Sequence, residues 1–139
     1  MRAVAAGVLV TSPDDPLEKR LAALRSDLAD LVAELDPAVV AIERIFFRSN
    51  AKTAMAVGQA SGVALLTAAE HGCEVAQYTA AEVKLAVTGY GDATKEQVQE
   101  MVARLARLDK VPEPVDVSDA LALAICHLGV ARPLKGIVA

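Results

Sequence analysis

VVAIERIFFRSNAKTAMAVGQASGVALLTAAEHGCEVAQY, residues 39–78, decides the fold. Val39 to Ile42 is a short apolar run that ends in charged Glu43 and Arg44. It reads as a buried strand whose carboxyl end reaches solvent or a site. Residues 51–71 follow as a helix that Gly72 closes, because glycine tolerates the left-handed backbone at a helix end. Glu74 to Tyr78 reads as a second, weaker strand. Within the helix, Ala54, Gly58 and Gly62 recur every four residues as a ridge with almost no side chain. Glycine costs about 0.5–1 kcal/mol relative to alanine inside a helix, so two on one face imply a close approach. Close packing within the chain and a homodimer seam both satisfy that requirement.

Outward from this stretch the α/β pattern continues. Residues 3–10 are a Val-rich small-apolar run, the expected first strand. Asp15 and Pro16 predict a cap and first-turn proline for a helix whose Leu17, Leu21, Leu24, Leu28, Leu31 and Leu35 make one apolar stripe up to Asp36-Pro37. Downstream, a short helix over 79–87 leads to the turn Gly89-Tyr90-Gly91. Thr94 with Gln97 forms a capping box for a helix through Leu108, with Val98, Met101, Val102, Leu105 and Leu108 on its buried side. Pro112 and Pro114 break the chain before a last helix from about Val117 to Leu128. Three strands make a thin sheet beside the usual 5–6, so the expected sheet is incomplete.

The chain has 139 residues, one domain's worth, with 54% apolar and 23% charged residues. That balance excludes a disordered chain. Aromatics are 3%, so the core must be built from Ala, Val and Leu. A net charge of −4 argues against a surface that binds nucleic acid everywhere, yet permits a local basic face. Seven acids, Asp14, Asp15, Glu18, Asp27, Asp30, Glu34 and Asp36, crowd the first helix and its approach, away from Arg44, Arg48, Lys52, Lys84 and Lys95. Cys73 and Cys126 are too few for a disulfide scaffold, which places the expected protein in the reducing cytoplasm. The uncharged stretch Thr53 to Ala69 falls short of the roughly 20 residues of a membrane span, so no membrane role is expected.

Chemistry concentrates in an acidic set: Glu43 at a strand end, and Asp116 with Asp119 at the start of the last helix. Residues three apart on a helix share a face. Converging carboxylates repel unless a cation sits among them, and hard oxygen donors suit Mg²⁺ or Mn²⁺. An aspartate N-cap with a second aspartate in the first turn also suits a helix start and its dipole without any metal, and spacing alone leaves that reading ahead. Around Glu43, residues 43–52 hold Arg44, Arg48 and Lys52 together with Phe46 and Phe47, cations for phosphates beside rings that stack on bases or fill a core. Lys95 sits in a first helical turn, where the dipole disfavours a cation by about 0.3–1 kcal/mol. A phosphate partner explains that placement, and so does a solvated lysine. Lys84 is a second candidate, His71 takes no role, and two His with two Cys make no four-ligand zinc site without acids joining in.

Three blocks, VVAIERIFFRSNAKTAMAVGQASGV at 39–63, AAEVKLAVTGYGDATKEQVQEMV at 80–102 and DVSDALALAICH at 116–127, resemble the RuvC-type Holliday junction resolvases in order, spacing and type. The resemblance spans nearly the whole chain. It implies an RNase H-like three-layer sheet with helices on both faces, and a homodimeric endonuclease that nicks four-way DNA junctions in recombination and repair. Glu43, Asp116 and Asp119 fall on family carboxylates that hold two Mg²⁺ ions, with Mn²⁺ as substitute. Phe46 falls on the aromatic that probes the opened junction, and Lys84 and Lys95 on basic residues near the scissile phosphate. The Ala54, Gly58, Gly62 helix falls on the dimer element, and a branch-migration helicase is the implied further partner.

The resemblance has one departure: the family's opening strand with its Asp-Pro-Gly motif, and the hairpin strand after it, have no counterpart here. Asp14-Asp15-Pro16 falls at the start of the first helix and cannot replace it. The expected sheet therefore lacks its central strand and first metal-bridging carboxylate. Roughly 20 further residues upstream, a fragment that cannot cut, and a module that only binds branched DNA are the three expectations this leaves. A small ligand-binding α/β domain would need a phosphate-type glycine loop after a strand, and the sequence holds none.

Overall fold

Helical periodicity and strand runs resolve into seven elements in a computed structural model that describes residues 1–45 and 51–138. They are α1 (Leu17–Leu35), β1 (Val39–Glu43), α2 (Ala51–Glu70), β2 (Glu74–Tyr78), α3 (Ala80–Thr88), α4 (Lys95–Leu105) and α5 (Val115–Val138). By packing, the chain divides into two compact units, Leu9–Gln77 and Met1–Val8 with Tyr78–Ala139.

In the unit Leu9–Gln77, α1 packs against α2 and α2 against β1. The two strands pair in a small parallel sheet, as expected of strands joined by a helix. α1 runs over the expected residues, but its cap is Pro16, and Asp15 stays outside. The reason is local: the Pro16 carbonyl takes the first helical bonds from Lys19 and Arg20, while Asp15 belongs to the preceding turn, its N–H donating to Ser12 O at 3.2 Å. Asp36 ends the helix at φ 46, its N–H donating to Val32 O. The leucine stripe is covered only in its middle, since Leu21, Leu24 and Leu28 are half-buried while Leu17, Leu31 and Leu35 face solvent. An exposed Arg25–Glu70 fork, 2.8 Å at its shortest, ties α1 to the last turn of α2. It raises the guanidinium's pKa and lowers the carboxyl's.

Residues 3–10 form no strand, contrary to expectation. Val4 is 82% and Val10 79% exposed. An apolar run becomes a strand only when neighbouring backbone takes its N–H and C=O groups, and the sheet has β1 and β2 alone among the described residues. No described helix is long and apolar enough to cross a membrane.

The other unit is helical. α3, α4 and α5 pack on one another around Val87, Val102, Ala122 and Ile125, with Met1, Val83, Val98, Met101, Leu105 and Leu121 against them. Both α3 and α4 open on reciprocal capping boxes, Thr79 with Glu82 and Thr94 with Gln97. α4 stops three residues earlier than its apolar pattern predicts. Arg107 turns left-handed at φ 57, and the Leu108 N–H reaches back to Ala103 O at 2.8 Å, so Leu108 stays half-buried beyond the helix. α5 begins two residues before the expected start and runs past Leu128 to Val138.

Candidate functional site

The start of α5 shows how packing decides which side chains are available. Val117 and Ser118 are buried, as are Ala122, Ile125 and Cys126 one and two turns on. This repeat fastens one face of α5 to the unit's core and turns Asp116 and Asp119, one turn apart, to solvent. The Pro114 carbonyl accepts the Val117 N–H at 3.0 Å and starts the helix without any help from Asp116, so neither aspartate is spent as a cap. Between them lies Ser118, whose buried hydroxyl has no hydrogen-bond partner among the described residues.

Glu43 closes β1 in the unit Leu9–Gln77, exposed like Arg44 after it. Neither Glu43, Asp116 nor Asp119 makes a hydrogen bond or ion pair to another described residue. In chemistry, such unpaired carboxylates suit a hard divalent cation. In geometry, Asp116 and Asp119 supply two neighbouring donors, and no group of three or more His, Cys, Asp or Glu side chains is assembled to hold a metal among the described residues. The aspartate pair thus fits part of a metal site, and no catalytic step through a metal follows from it alone.

Lys84 lies half-buried in the middle of α3, and Lys95 is the exposed first residue of α4. Neither forms an ion pair among the described residues. The Thr94 hydroxyl accepts the Gln97 N–H at 3.2 Å and the Gln97 side chain accepts the Thr94 N–H at 2.8 Å, so the backbone beneath Lys95 is firmly set. Lys52 is exposed in the first turn of α2. Phe46 and Arg48 lie outside the described residues. Along α2, Ala54 and Gly58 are half-buried and Gly62 is exposed. A side chain added at Gly58 or Gly62 would meet nothing within 4 Å, so no described part of the chain uses the close approach that these glycines permit.

One polar pair escaped the sequence. Tyr78 Oη and His127 Nδ1 stand 2.7 Å apart with their rings tilted at 54°. The partners are 49 residues apart, so no local pattern could have announced the contact. Burial raises the Tyr78 hydroxyl's pKa, with smaller contributions from Cys126 and Glu82. The Cys126 thiol beside it is pushed up by burial first and by Glu82 second.

Comparison with known proteins gives consistent likenesses. Residues 1–127 match the family model described as crossover junction endodeoxyribonuclease RuvC. The chain is 51% identical over 134 residues to a protein of that name from Koribacter versatilis, a match covering 96% of this chain and 81% of the relative. Its identity to the Natranaerobius thermophilus protein is 47% over 127 residues, 91% of this chain and 79% of the relative. A solved Thermus thermophilus RuvC superposes with a TM-score of 0.87 at 35% identity, over 94% of this chain and 79% of that one. A second T. thermophilus RuvC, solved in complex with a Holliday junction substrate, gives 0.86 at 33% identity over 94% and 80%. With these, the RNase H-like α/β class expected from the sequence holds.

Proposed function

The chain belongs to the RuvC crossover junction endodeoxyribonuclease family, and on that premise we propose that it nicks four-way DNA junctions as a homodimer, in a divalent-metal-dependent reaction serving recombination and repair in the cytoplasm. The observation that carries the proposal is the start of α5, where buried Val117 and Ser118 hold Asp116 and Asp119 out to solvent without any partner of their own among the described residues. Such charge is costly to concentrate unless a cation or its ligand joins it. The residues proposed to hold two Mg²⁺ ions, or Mn²⁺, are Glu43, Asp116 and Asp119. When bound, such ions supply an activated water and stabilise the leaving oxygen of a phosphodiester.

The protein's own cations orient the strand. Lys84 and Lys95 meet the phosphates near the cut, Lys95 from the first turn of a helix closed by the Thr94–Gln97 capping box. Arg44, Arg48 and Lys52 extend the backbone contacts, and Phe46 enters the opened junction. Ala54, Gly58 and Gly62 form the seam with a second copy, supported by the empty space over both glycines. A junction offers equivalent strands on opposite sides, which suits two copies related by a dyad. A branch-migration helicase is the proposed further partner.

A second reading, junction binding without cutting, is favoured by the absence of an assembled three-ligand group among the described residues. One experiment separates the two. The chain is mixed with labelled junction and duplex, first in EDTA for binding and then in Mg²⁺ for cutting. Preference for the junction in EDTA and nicking in Mg²⁺ that Glu43→Gln and Asp119→Asn abolish support the nuclease. Junction preference without nicking supports the binding module, and equal affinity for duplex refutes both. Lys95→Glu should weaken junction affinity and lower the slope of log K against log salt by about one; an unchanged slope removes Lys95 from the phosphate contacts.

A further inference from the structure

Tyr90 is 59% exposed in a chain with very few rings. The other tyrosine is half-buried and tied to His127. Tyr90 is also firmly mounted. Gly89 takes φ 77, and its N–H donates to Leu85 O at 2.8 Å. The Thr88 hydroxyl lies 2.7 Å from Lys84 O and 2.9 Å from Tyr90 O, and it accepts the Tyr90 N–H at 3.1 Å. The Ala93 N–H closes the turn on Tyr90 O at 3.2 Å. Every one of these bonds uses Tyr90 backbone or none of it, so the ring itself has no structural duty in the turn.

Beside the ring is a recess of about 260 Å³ whose walls include Gln97, Glu100, Met101 and Arg104 of α4. Tyr90 and Met101 provide flat or polarizable apolar surface, which suits the face of a planar ring. Gln97 spends its carbonyl oxygen on the Thr94 cap and keeps its amide N–H groups as donors. Glu100 accepts and Arg104 donates, and the two form no ion pair with each other. A phosphate would meet Glu100 as a like charge. A nucleobase carries donors and acceptors side by side on its edge and a π-face above them, and it matches this set of groups.

We propose that this recess takes an unpaired nucleobase of the DNA, stacked on Tyr90 with its edge against Glu100 and Arg104. The proposal rests on the reading of the chain as a junction-binding protein. It adds to the phosphate contacts of Lys84 and Lys95, on the helices either side of the turn, a site that holds an extruded base. A four-way junction supplies such a base when pairing near its crossing is opened, and stacking retains it with little regard to sequence.

The test uses the whole chain, a junction with 2-aminopurine at the branch point, and a single-stranded hexanucleotide carrying the same base. Stacking quenches 2-aminopurine fluorescence in both. Tyr90→Phe should keep the quenching; Tyr90→Ala should remove it and weaken junction binding about tenfold, while circular dichroism stays that of the parent. Unchanged quenching and affinity in Tyr90→Ala overturn the proposal. Should the parent chain bind the junction no better than duplex, the functional reading fails separately, and the hexanucleotide decides the recess. Quenching lost in Tyr90→Ala supports the recess there, and absent or unchanged quenching refutes it.

Discussion

Replacing Ser118 with alanine is expected to stabilise the protein, against the usual outcome of a core substitution. Ser118 is 1% exposed, and its hydroxyl lacks a partner among the described residues. Thr67 and Thr88 each donate their hydroxyl to the carbonyl four residues back, Val63 O and Lys84 O, at 2.7 Å, and Ser118 makes no such bond. A buried hydroxyl without a hydrogen bond costs about 1–3 kcal/mol. Alanine also has the better helix propensity, by about 0.5 kcal/mol. Against these stands the loss of one atom's packing in a tight layer with Val117, Ala122 and Cys126, about 0.5–1 kcal/mol on the scale of one methylene. The net gain is about 0.5–3 kcal/mol, centred on about 2. With a urea m-value of about 2 kcal/mol/M, the middle of the usual range, the unfolding midpoint should rise by roughly 1 M. Ser118→Thr adds a methyl to the same layer and should lower the midpoint. Urea titration followed by circular dichroism reads both variants. A midpoint that falls in Ser118→Ala would refute the reasoning, because the hydroxyl must then have a partner worth more than its burial. Junction affinity should not change, since the Ser118 hydroxyl is buried while Asp116 and Asp119 face solvent.

Two further outcomes follow from local geometry. Arg107 holds φ 57 at the end of α4, a region that costs a non-glycine residue about 1 kcal/mol. Arg107→Gly should therefore raise stability by about 0.5–1 kcal/mol, read as a urea midpoint; a loss would mean that the arginine side chain contributes more than the strain. The second outcome concerns alkaline pH. Burial raises the Cys126 thiol above its usual value near 9 and the Tyr78 hydroxyl above 10. Well below pH 9 folded and unfolded chains hold both protons, and stability is complete. As pH climbs past about 9, the unfolded chain releases protons that the fold retains, so stability falls, with Tyr78 adding to the decline beyond about 10. Midpoints at pH 7.5, 9 and 10.5 should decrease in that order, and Cys126→Ala should delay the decline; a flat profile would contradict both shifts.

Much of the molecule could be read from short stretches because helices are made of short-range bonds. α1 and β2 span the expected residues, and the Thr94–Gln97 box appears as the sequence spelled it. The Thr79–Glu82 box follows the same rule, with Glu82 three residues after Thr79, and is equally legible in the sequence. The carboxylates Glu43, Asp116 and Asp119 stood out by their positions at element ends. Spacing alone favours Asp116 as a helix cap, and the structure corrects this: Pro114 O starts the helix, and the burial of Val117 and Ser118 turns Asp116 outward.

What the sequence alone determined, then, is the run of helices, the strands at 39–43 and 74–78, and the family blocks, all properties of residues within a turn or two of each other. What only the tertiary structure decided depends on distant partners. The Val-rich run at 3–10 has strand propensity but no ladder beside it among the described residues, and remains irregular. Tyr78 found His127 across 49 residues. The Ser118 hydroxyl lost water without gaining a bond because the whole face of α5 is buried around it. A backbone turn completes its own hydrogen bonds locally, whereas a strand, a buried hydroxyl and a ring pair are satisfied or stranded by whatever the rest of the chain brings to them.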